Sequence, residues 1–407
     1  MERTADCVIV GGGIGGTVLA LALARRGFRL VICEREASPP PAARPEVLAA
    51  STIQAFRALG LEDAALRTAA LPLRGLELRQ RGGSTVLAIA AEELARAGVQ
   101  PYSADPGRMR QLLLDAALAQ ASVRVERGLE VRSLLREGGR VVGVEGARDG
   151  QPVTIQAPLI IGDDGSQSRV RGAIGAPIQL TEFPLVFLGA TSPALPGLPD
   201  AAAQAWFNPW AVRAGLMAGL FLPLPGARTA FVFVLSAKAA ERFKRATPAN
   251  FYRAAEALAP PARALPQYCP FPDGFTLFRR AFGHAGRYVS DGAALLGDAA
   301  HPVTPAGGQG ANMSVADALA LAPVAEEALR ARDCSAARLA AYEALRRPAN
   351  ERSLQFSVGA NQVFRVLRVA PWLGIVLLAF LRRVDRRPDA KDQFLQAVAQ
   401  AFRTPAP

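Results

Sequence analysis

A glycine-rich turn near the start of the chain has the spacing of a phosphate-binding turn. Three glycines in the pattern G-x-G-x-x-G follow the apolar run Asp6–Val10 and open an alanine- and leucine-rich stretch, which places them between a strand and a helix. At such a turn, backbone amides and the helix N-terminus meet a pyrophosphate that side chains would block. Glu34 ends the next apolar run, where a carboxylate can accept hydrogen bonds from both hydroxyls of an adenosine ribose. The residues that this βαβ unit offers to a dinucleotide are Gly11, Gly13, Ile14, Gly15, Gly16 and Glu34.

Two further patches favour a flavin over a nicotinamide dinucleotide. Ile160–Arg171 reads IIGDDGSQSRVR and contains the pair Asp164–Gly165, and Leu296–Asn312 reads LGDAAHPVTPAGGQGAN. With these patches the chain resembles the class A FAD-dependent monooxygenases, a family of aromatic-ring and ubiquinone hydroxylases of the para-hydroxybenzoate hydroxylase type. All three patches occur in the family's order, so the resemblance is specific.

The resemblance implies a role for the last patch. In enzymes with this pattern the aspartate, here Asp298, holds the ribityl chain, and the glycine-rich loop after Pro305 presents backbone amides to the isoalloxazine. A ribityl hydroxyl needs a fixed acceptor, and an electron-rich reduced flavin needs donors or a helix N-terminus nearby. Asn312 is expected to cap the helix that follows. The flavin contacts implied beyond the first unit are Asp164, Gly165, Asp298, Pro305, Gly308, Gly310, Ala311 and Asn312.

Arginines near the adenosine and pyrophosphate are a further implication of the resemblance. Arg35 and Arg44 lie where the family places such residues, although Arg35 also fits a solvated charge at a strand end, so Arg44 is favoured. The family often carries an arginine just before the helix that begins here near Met109. Pro106 occupies that place, and Arg108 is the nearest substitute.

The reaction implied is an oxygenation that depends on NAD(P)H and O2. Only one dinucleotide fingerprint is present, so FAD is expected as the tightly bound cofactor and NADH or NADPH as a transient co-substrate. Dioxygen adds to the reduced flavin, and the resulting C4a-hydroperoxide hydroxylates or epoxidises an apolar, aromatic or quinone- or quinolone-like substrate. The protein orients that substrate and excludes water, so no catalytic triad is expected. Catalytic residues stay unassigned; His301 and Pro305 are the candidates, although a histidine within the motif is more often structural.

Other enzyme and non-enzyme interpretations stay open. A flavin-dependent reductase of isoprenoid double bonds would share the opening fingerprint, and it would not need oxygen to form product. A non-catalytic protein that only holds a flavin or ligand would show no flavin reduction stimulated by a substrate. A flavin halogenase is disfavoured, because the sequence has no W-x-W-x-I-P segment and no matching lysine.

The elements that position these residues predict an α/β fold with two domains. A doubly wound, Rossmann-like FAD-binding domain is predicted over 1–75, 98–175 and 281–345, with a β-sheet-based substrate domain inserted over 76–97 and 176–280 and a helical C-terminal segment over 346–407. Many aromatic residues beyond Gly175 fit a sheet core, whereas Trp206–Trp210 fits either a pocket rim or a packed turn. The candidate substrate-pocket residues are Phe183, Phe187, Trp206, Phe207, Trp210, Phe221 and Phe233.

Charge and composition limit the partners. The net charge is +12, but the segment from Arg346 to the end carries eleven Lys or Arg and four acidic residues, without the aromatic interleaving of a nucleic-acid stripe. Val369–Leu381 is uncharged and too short to span a bilayer, which needs about twenty residues. It fits equally a buried helix or, with the arginines of 365–387, an interfacial helix that gives access to a lipophilic substrate. Four scattered cysteines and no export signal indicate a cytoplasmic protein, with no metal site and with peripheral membrane contact as an option.

Overall fold

The computed structural model describes residues 2–38, 46–212, 215–305 and 308–402. Within these ranges the strands are β1 Glu2–Thr4, β2 Cys7–Val10, β3 Leu30–Glu34, β4 Glu46–Leu48, β5 Ala70–Pro72, β6 Gly75–Gln80, β7 Thr85–Ala90, β8 Tyr102–Ala104, β9 Val123–Arg127, β10 Glu130–Glu137, β11 Arg140–Arg148, β12 Gln151–Gln156, β13 Leu159–Gly162, β14 Thr181–Pro193, β15 Ala202–Phe207, β16 Leu216–Leu224, β17 Arg228–Ser236, β18 Thr276–Phe282, β19 Val289–Ser290 and β20 Ala293–Leu295.

The α-helices of the same ranges are α1 Ile14–Ala24, α2 Ala50–Ala58, α3 Asp63–Ala69, α4 Ala91–Arg96, α5 Pro106–Leu118, α6 Arg169–Ala173, α7 Ala237–Lys244, α8 Pro248–Leu258, α9 Gly310–Arg330, α10 Ala336–Val369, α11 Trp372–Asp385 and α12 Pro388–Phe402. Short 3-10 turns lie at Pro209–Val212, Pro260–Gln267 and Gly297–Ala299. This mixture of helices and several sheets confirms the predicted α/β class.

The first sheet carries the glycine turns. Its order is β19-β20-β13-β2-β3-β9, and every neighbouring pair except β19 with β20 is parallel. Strands β2, β3, β13 and β20 are buried along their whole length, as expected for apolar runs that are covered on both faces. Gly162 pairs with Val10 on one side and Leu295 on the other, so three parallel strands end side by side.

A seven-stranded sheet forms the other large layer, in the order β18-β14-β17-β16-β15-β6-β7. Strands β6 and β7 come from the early segment predicted to join the substrate domain, and β6 pairs in parallel with β15. Smaller sheets of β1-β12-β11-β10 and β4-β8-β5 complete the strand pairing of the described residues. The domain limits themselves stay a prediction, and the limit between 345 and 346 falls inside the continuous helix α10.

The C-terminal helices pack on both large sheets. Helix α10 runs beside α9 and contacts β14 and β19, and α11 lies against β7. Among the described residues no single helix combines the length and apolarity needed to cross a bilayer. By length and composition alone, the bent pair Asn361–Leu367 and Trp372–Asp385 meets that requirement, with an angle of 119° between its parts.

Candidate functional site

The three glycine-bearing turns begin at the carboxyl ends of β2, β13 and β20. In an open parallel sheet this edge is where ligands bind. Gly11 has φ +106°, and a methyl group there would lie 2.2 Å from the backbone oxygen of Asp163. A methyl group at Gly13 would lie 2.6 Å from Asp163 Oδ2, and one at Gly297 would lie 3.1 Å from Asp163 Oδ1. The turns therefore meet at one buried carboxyl group.

Asp163 is a residue that sequence reasoning missed. Its Oδ2 accepts a hydrogen bond from the amide of Gly16 at 2.8 Å, in the first turn of α1. Burial, opposed by that hydrogen bond and reinforced by the negative charges of Asp164, Asp298 and Asp317, raises the pKa of Asp163 well above its ordinary value. The sequence shows two adjacent aspartates, Asp163 and Asp164, before Gly165. The family pattern includes only the second, so it does not predict a role for Asp163.

Glu34, the residue predicted to bind the adenosine ribose, lies at the first glycine turn. Its carboxylate accepts hydrogen bonds from the amides of Gly12 at 3.0 Å and Glu36 at 2.8 Å. Arg110 of α5 forms a salt bridge with Glu34, and its Nε donates to the Gly12 carbonyl oxygen at 2.7 Å. This arginine clamps the acidic residue to the first glycine turn, so it fills the place for which Arg108 was the predicted substitute.

The other predicted arginines do not join this cluster. Arg108 lies in the first turn of α5, where its side chain is half exposed and is 3.8 Å from Asp105. Helix α5 begins at Pro106, earlier than expected, so Arg108 faces away from the glycine turn. Arg35 is 73% exposed and pairs with Glu36 at 3.2 Å, which is the solvated strand-end position. Arg44 lies outside the described residues.

The middle turn, which carries Asp164 and Gly165, is connected to the last turn by Arg171. Asp164 Oδ2 accepts from the amides of Arg169 at 2.7 Å and Val170 at 3.1 Å, at the start of α6. Arg171 is buried and donates to the carbonyl oxygens of Ser166 at 2.8 Å and Ala299 at 2.9 Å. The guanidinium therefore ties the D-G turn to the G-D turn. Gly165 has φ +79° and open space where a side chain would be.

Asp298, in the last turn, lies beside Arg280 of β18, whose Nη1 is 3.2 Å from Oδ2. Pro305 is exposed and its carbonyl accepts from the amide of Gly308 at 3.0 Å, and Gly308 has φ +63°. Gly310 begins α9, and Ala311 packs against the core. The predicted G-D turn thus leads directly into a helix N-terminus.

The prediction that Asn312 caps α9 is wrong. Asn312 is the third residue of that helix, and Gln309 occupies the cap position without a side-chain cap hydrogen bond. The Asn312 side chain reaches the segment before α2, where Oδ1 accepts from the amide of Ala49 at 2.8 Å and from Thr52 Oγ1 at 2.7 Å. Its Nδ2 donates to the carbonyl oxygens of Val47 and Gly308. Asn312 therefore connects the last turn to the segment that runs from β4 into α2.

The residues present fit a flavin dinucleotide. Helix α1 begins after Gly13 and α9 begins after Gln309, and the first amides of a helix have no acceptor within the helix, so both N-termini suit an anionic or electron-rich ligand. Asp164 Oδ1 is buried and has no hydrogen-bond partner among those residues, which suits a hydroxyl donor from a ligand. Glu34 lies beside the first turn and Asp298 lies in the last turn.

A buried ion cluster lies beneath the G-D turn. Asp317 of α9 accepts from His301 Nε2 at 2.5 Å, Arg346 Nε at 2.8 Å and the Gly297 amide at 3.1 Å. Burial opposes the charge of Asp317, but His301 and Arg346 outweigh it and lower the pKa of that carboxyl group. His301 is buried at 1% exposure. The cluster therefore makes His301 a support for the turn that carries Asp298, not a group at the reacting atoms.

The predicted pocket aromatics divide between the two faces of the seven-stranded sheet. Trp206, Phe221 and Phe233 are buried in one cluster with Phe251 of α8, so these three are core residues and not pocket residues. Their positions follow from strand alternation, which sends successive side chains to opposite faces. The prediction was wrong for these three because the pairing and bulges that decide the face are not visible in composition.

Phe183 and Phe187 lie on the other face, in a cluster with Phe282 and Met217. Phe187 stacks on Phe278 with ring centroids 5.3 Å apart. Along β18 the residues 278, 280 and 282 share this face, and Arg280 reaches Asp298 from it. This face of the sheet therefore meets the G-D turn, and Phe183 and Phe187 line it.

Two predicted pocket residues lie toward the C-terminal helices. Phe207 is partly buried and packs against this second face and against the cluster that includes Leu378 of α11. Trp210 is 65% exposed and lines a surface recess of about 220 Å³ together with Pro209, Ile375 and Ala379. Trp210 therefore borders a surface recess against α11, and its place at a substrate pocket stays a prediction.

The fold and the three converging turns define a flavoprotein of the class A monooxygenase type. The chain belongs to the family described as FAD binding domain, which matches residues 4–357. It is 30% identical over 368 residues to 6-methylpretetramide 4-monooxygenase of Streptomyces rimosus, covering 87% of this chain and 82% of that protein. It is also 30% identical over 367 residues to the ubiquinone hydroxylase UbiL of Rhodospirillum rubrum, covering 86% and 79%.

Structural similarity extends over nearly the whole chain. The crystal structure of the p-nitrophenol 4-monooxygenase PnpA of Pseudomonas putida DLL-E4 matches with a TM-score of 0.80 and 20% identity, covering 99% of this chain and 100% of that one. At this identity the match concerns the fold. Together with the sequence relatives, the family membership establishes the chain as an FAD-dependent monooxygenase and confirms the predicted enzyme class.

Proposed function

We propose that this enzyme takes electrons from NADH or NADPH and uses O2 to hydroxylate or epoxidise a small apolar substrate, aromatic or quinone-like. The observation that carries the proposal is the junction of the aromatic sheet face with the flavin groove at Arg280 and Asp298. Bound FAD supplies the chemistry of oxygen activation. The chain supplies position, exclusion of water and electrostatics at that junction.

The chain's own residues divide these tasks. Glu34, held by Arg110 and the Gly12 amide, binds the adenosine ribose at one end. The N-terminus of α1 faces the pyrophosphate, and the N-terminus of α9 faces the electron-rich edge of the ring. Asp298 accepts from the ribityl chain while Arg280 keeps the carboxylate oriented. None of these groups is asked to transfer a proton.

The substrate class follows from what lines the junction. Phe183, Phe187, Met217 and Phe282 are buried side chains that make the sheet face behind the junction apolar. Such a surface favours an apolar molecule over a carboxylate or phosphate. The names of the two relatives, a pretetramide oxygenase and a ubiquinone hydroxylase, support a polycyclic aromatic or quinone substrate.

We place the enzyme in the cytoplasm, with access to substrate dissolved at the inner face of the membrane. The four cysteines, all within the described residues, are buried free thiols, which suits a reducing compartment. Segments 76–97 and 176–280 would form the substrate domain, inserted into the FAD-binding domain of 1–75, 98–175 and 281–345.

The test is a two-stage assay of the FAD-loaded enzyme. Without oxygen, apolar phenols, quinones and quinolones are screened for faster bleaching of the flavin by NADH or NADPH. With ¹⁸O2, a substrate that accelerates bleaching should gain one ¹⁸O atom, because one oxygen atom of O2 enters the product. A product formed without oxygen would instead favour the reductase of isoprenoid double bonds, and bleaching that no candidate stimulates would favour a protein that only holds its ligand.

A further inference from the structure

Exposed hydrocarbon is concentrated in one part of the surface. Among the described residues, nine of the fourteen large hydrophobic side chains that are exposed lie between Val358 and Phe380. Single exposed apolar residues are ordinary, but so many within one segment of 23 residues indicate an interaction site. We call the following residues the C-terminal apolar surface: Val363, Val366, Val369, Trp372, Ile375, Val376, Leu377 and Phe380.

The exposed face of α11 is not the face that holds the helix in place. On its opposite side Leu378 and Leu381 are buried against Val86 and Leu87 of β7. A methyl group at Gly374 would lie 2.6 Å from Pro209, so the helix is packed closely on the 3-10 turn that carries Trp210. The helix is thus apolar on two sides. One side is used in the fold, and the other faces outward.

The charged residues within the segment that carries this surface are all basic. From Arg352 to Val384 the sequence contains no aspartate or glutamate. Arg365 precedes the bend between α10 and α11, and Arg383, Arg386 and Arg387 follow the apolar run and are exposed. The first acidic residue, Asp385, is directed to the protein, where its Oδ1 accepts from the Ala88 amide at 3.0 Å and is 3.2 Å from Lys391 Nζ.

We propose that the C-terminal apolar surface docks onto an anionic lipid bilayer, with α11 lying in the plane of the interface. Hydrocarbon with a rim of arginines matches acyl chains beneath anionic headgroups. A second copy of the chain matches less well, because a two-fold contact through the same patch would bring the arginine rims together. The recess of about 220 Å³ between Trp210 and α11 is beside this surface. This proposal goes beyond the reaction and does not depend on it.

The test is flotation of the full-length, FAD-loaded protein with vesicles, in the absence of substrate. Vesicles of phosphatidylcholine containing about 30 mol % phosphatidylglycerol should carry the protein upward, and the bound fraction should fall with salt. Vesicles of phosphatidylcholine alone should bind about tenfold less. Equal binding to both, or none to either, would overturn the proposal.

Matched variants locate the contact. Trp372→Ser with Phe380→Ser should lower binding to the anionic vesicles by about tenfold or more. Leu118→Ser with Leu345→Ser removes two exposed hydrophobic residues elsewhere and should leave binding unchanged. Arg383→Gln with Arg387→Gln should weaken binding and flatten its salt dependence, whereas Arg263→Gln, an exposed arginine outside the surface, should not. If the control variants lose as much vesicle binding as the test variants, the C-terminal apolar surface is not the contact with lipid.

The tryptophans give an independent readout. The chain has three, and Trp206 is buried in the core while Trp210 and Trp372 are 65% and 57% exposed. Lipids brominated on the acyl chains should quench the wild-type emission, and Trp372→Phe should remove most of that quenching. A protein that forms dimers through this surface, becomes monomeric in the Trp372→Ser and Phe380→Ser variant, and shows no quenching would identify a second copy as the occupant and refute lipid docking.

Discussion

The groove at the carboxyl edge of the first sheet buries charged side chains, whereas the C-terminal apolar surface exposes apolar ones. The groove buries charge: Asp317, His301 and Arg346 are all nearly inaccessible and bonded to one another. The C-terminal surface exposes hydrocarbon, with Trp372 more than half accessible. A buried charge is retained only where every partner is present, so the groove should tolerate few changes. The apolar surface makes its contact with something outside the chain, so folding should be insensitive to changes there.

The largest effect is expected from breaking the buried ion cluster. Asp317→Asn removes the negative charge that pairs with Arg346 and replaces one of the two acceptor oxygens by an NH2 group, and it should lower the free energy of unfolding by about 3–5 kcal/mol. Glu326→Gln, which removes the surface partner of Arg26 and Arg330, should cost less than about 1 kcal/mol. Chemical denaturation measures both. Equal losses would mean that the groove gains no more from its charges than the surface does.

The contribution of Asp317 to the free energy of unfolding also depends on pH. His301 and Arg346 lower the pKa of Asp317 despite its burial, so the carboxylate contributes stability at pH values above the pKa it has when unfolded. That contribution is lost as the pH falls through the folded value. The wild-type protein should therefore lose more stability on acidification than Asp317→Asn does.

The next largest effect concerns the space at the glycine turn. Gly11→Ala places a methyl group 2.2 Å from the Asp163 carbonyl and should weaken FAD binding about 100-fold. Gly82→Ala is the matched control, because Gly82 has a similar φ of +94° but nothing within 4 Å of the added methyl. Titration of the apoprotein with FAD measures the affinities. If Gly82→Ala binds FAD as poorly as Gly11→Ala, backbone strain and not the groove explains the loss.

A smaller effect separates the two candidate arginines. Arg110→Ala removes the clamp on Glu34 and should lower FAD affinity about tenfold. Arg35→Ala removes an exposed pair with Glu36 and should change it by less than about twofold. The same titration compares them, and a larger loss for Arg35 would move the adenosine site away from α5.

The smallest expected effect is a change in how steeply the free energy of unfolding depends on pH. Burial first, and then the charges of neighbouring aspartates, raise the pKa of Asp163, so the folded chain holds a proton that the unfolded chain releases. Stability should accordingly fall as the pH rises toward the folded pKa, by at most about 1.4 kcal/mol per pH unit. Asp163→Asn cannot ionise and should show a flatter profile at pH values above the ordinary pKa of an aspartate, whereas the exposed control Asp149→Asn should follow the wild type.

The part of the site that the sequence predicted is the part made by backbone. A glycine turn after a buried strand can be recognised from local residues, and parallel strands bring their carboxyl ends together without further information. For this reason the turns at Gly11, Asp164 and Asp298 were placed correctly relative to one another. The α/β class follows from the same pattern.

The residues that were missed depend on how elements dock. Arg108 and Arg110 are both polar residues of the first turns of α5, and only the packing of the helix on the first sheet decides which one reaches Glu34. The aromatic residues of the second sheet are divided between its faces by pairing and bulges, such as the register shift between Leu216 and Ala218. Asn312 makes three hydrogen bonds to residues 47–52, which lie more than 250 residues away, and one to Gly308 of its own turn. No local pattern predicts that geometry.

The claim on which the account rests is that three turns far apart in the chain grip one flavin. Amide hydrogen exchange of the apoprotein, with and without one equivalent of FAD, tests it most directly. We predict that FAD slows exchange together in segments 11–16, 163–171 and 297–312, and that Gly11→Ala abolishes the effect in all three. Protection of the first segment alone, with the other two unchanged, would show a dinucleotide site without a flavin groove and would contradict the account.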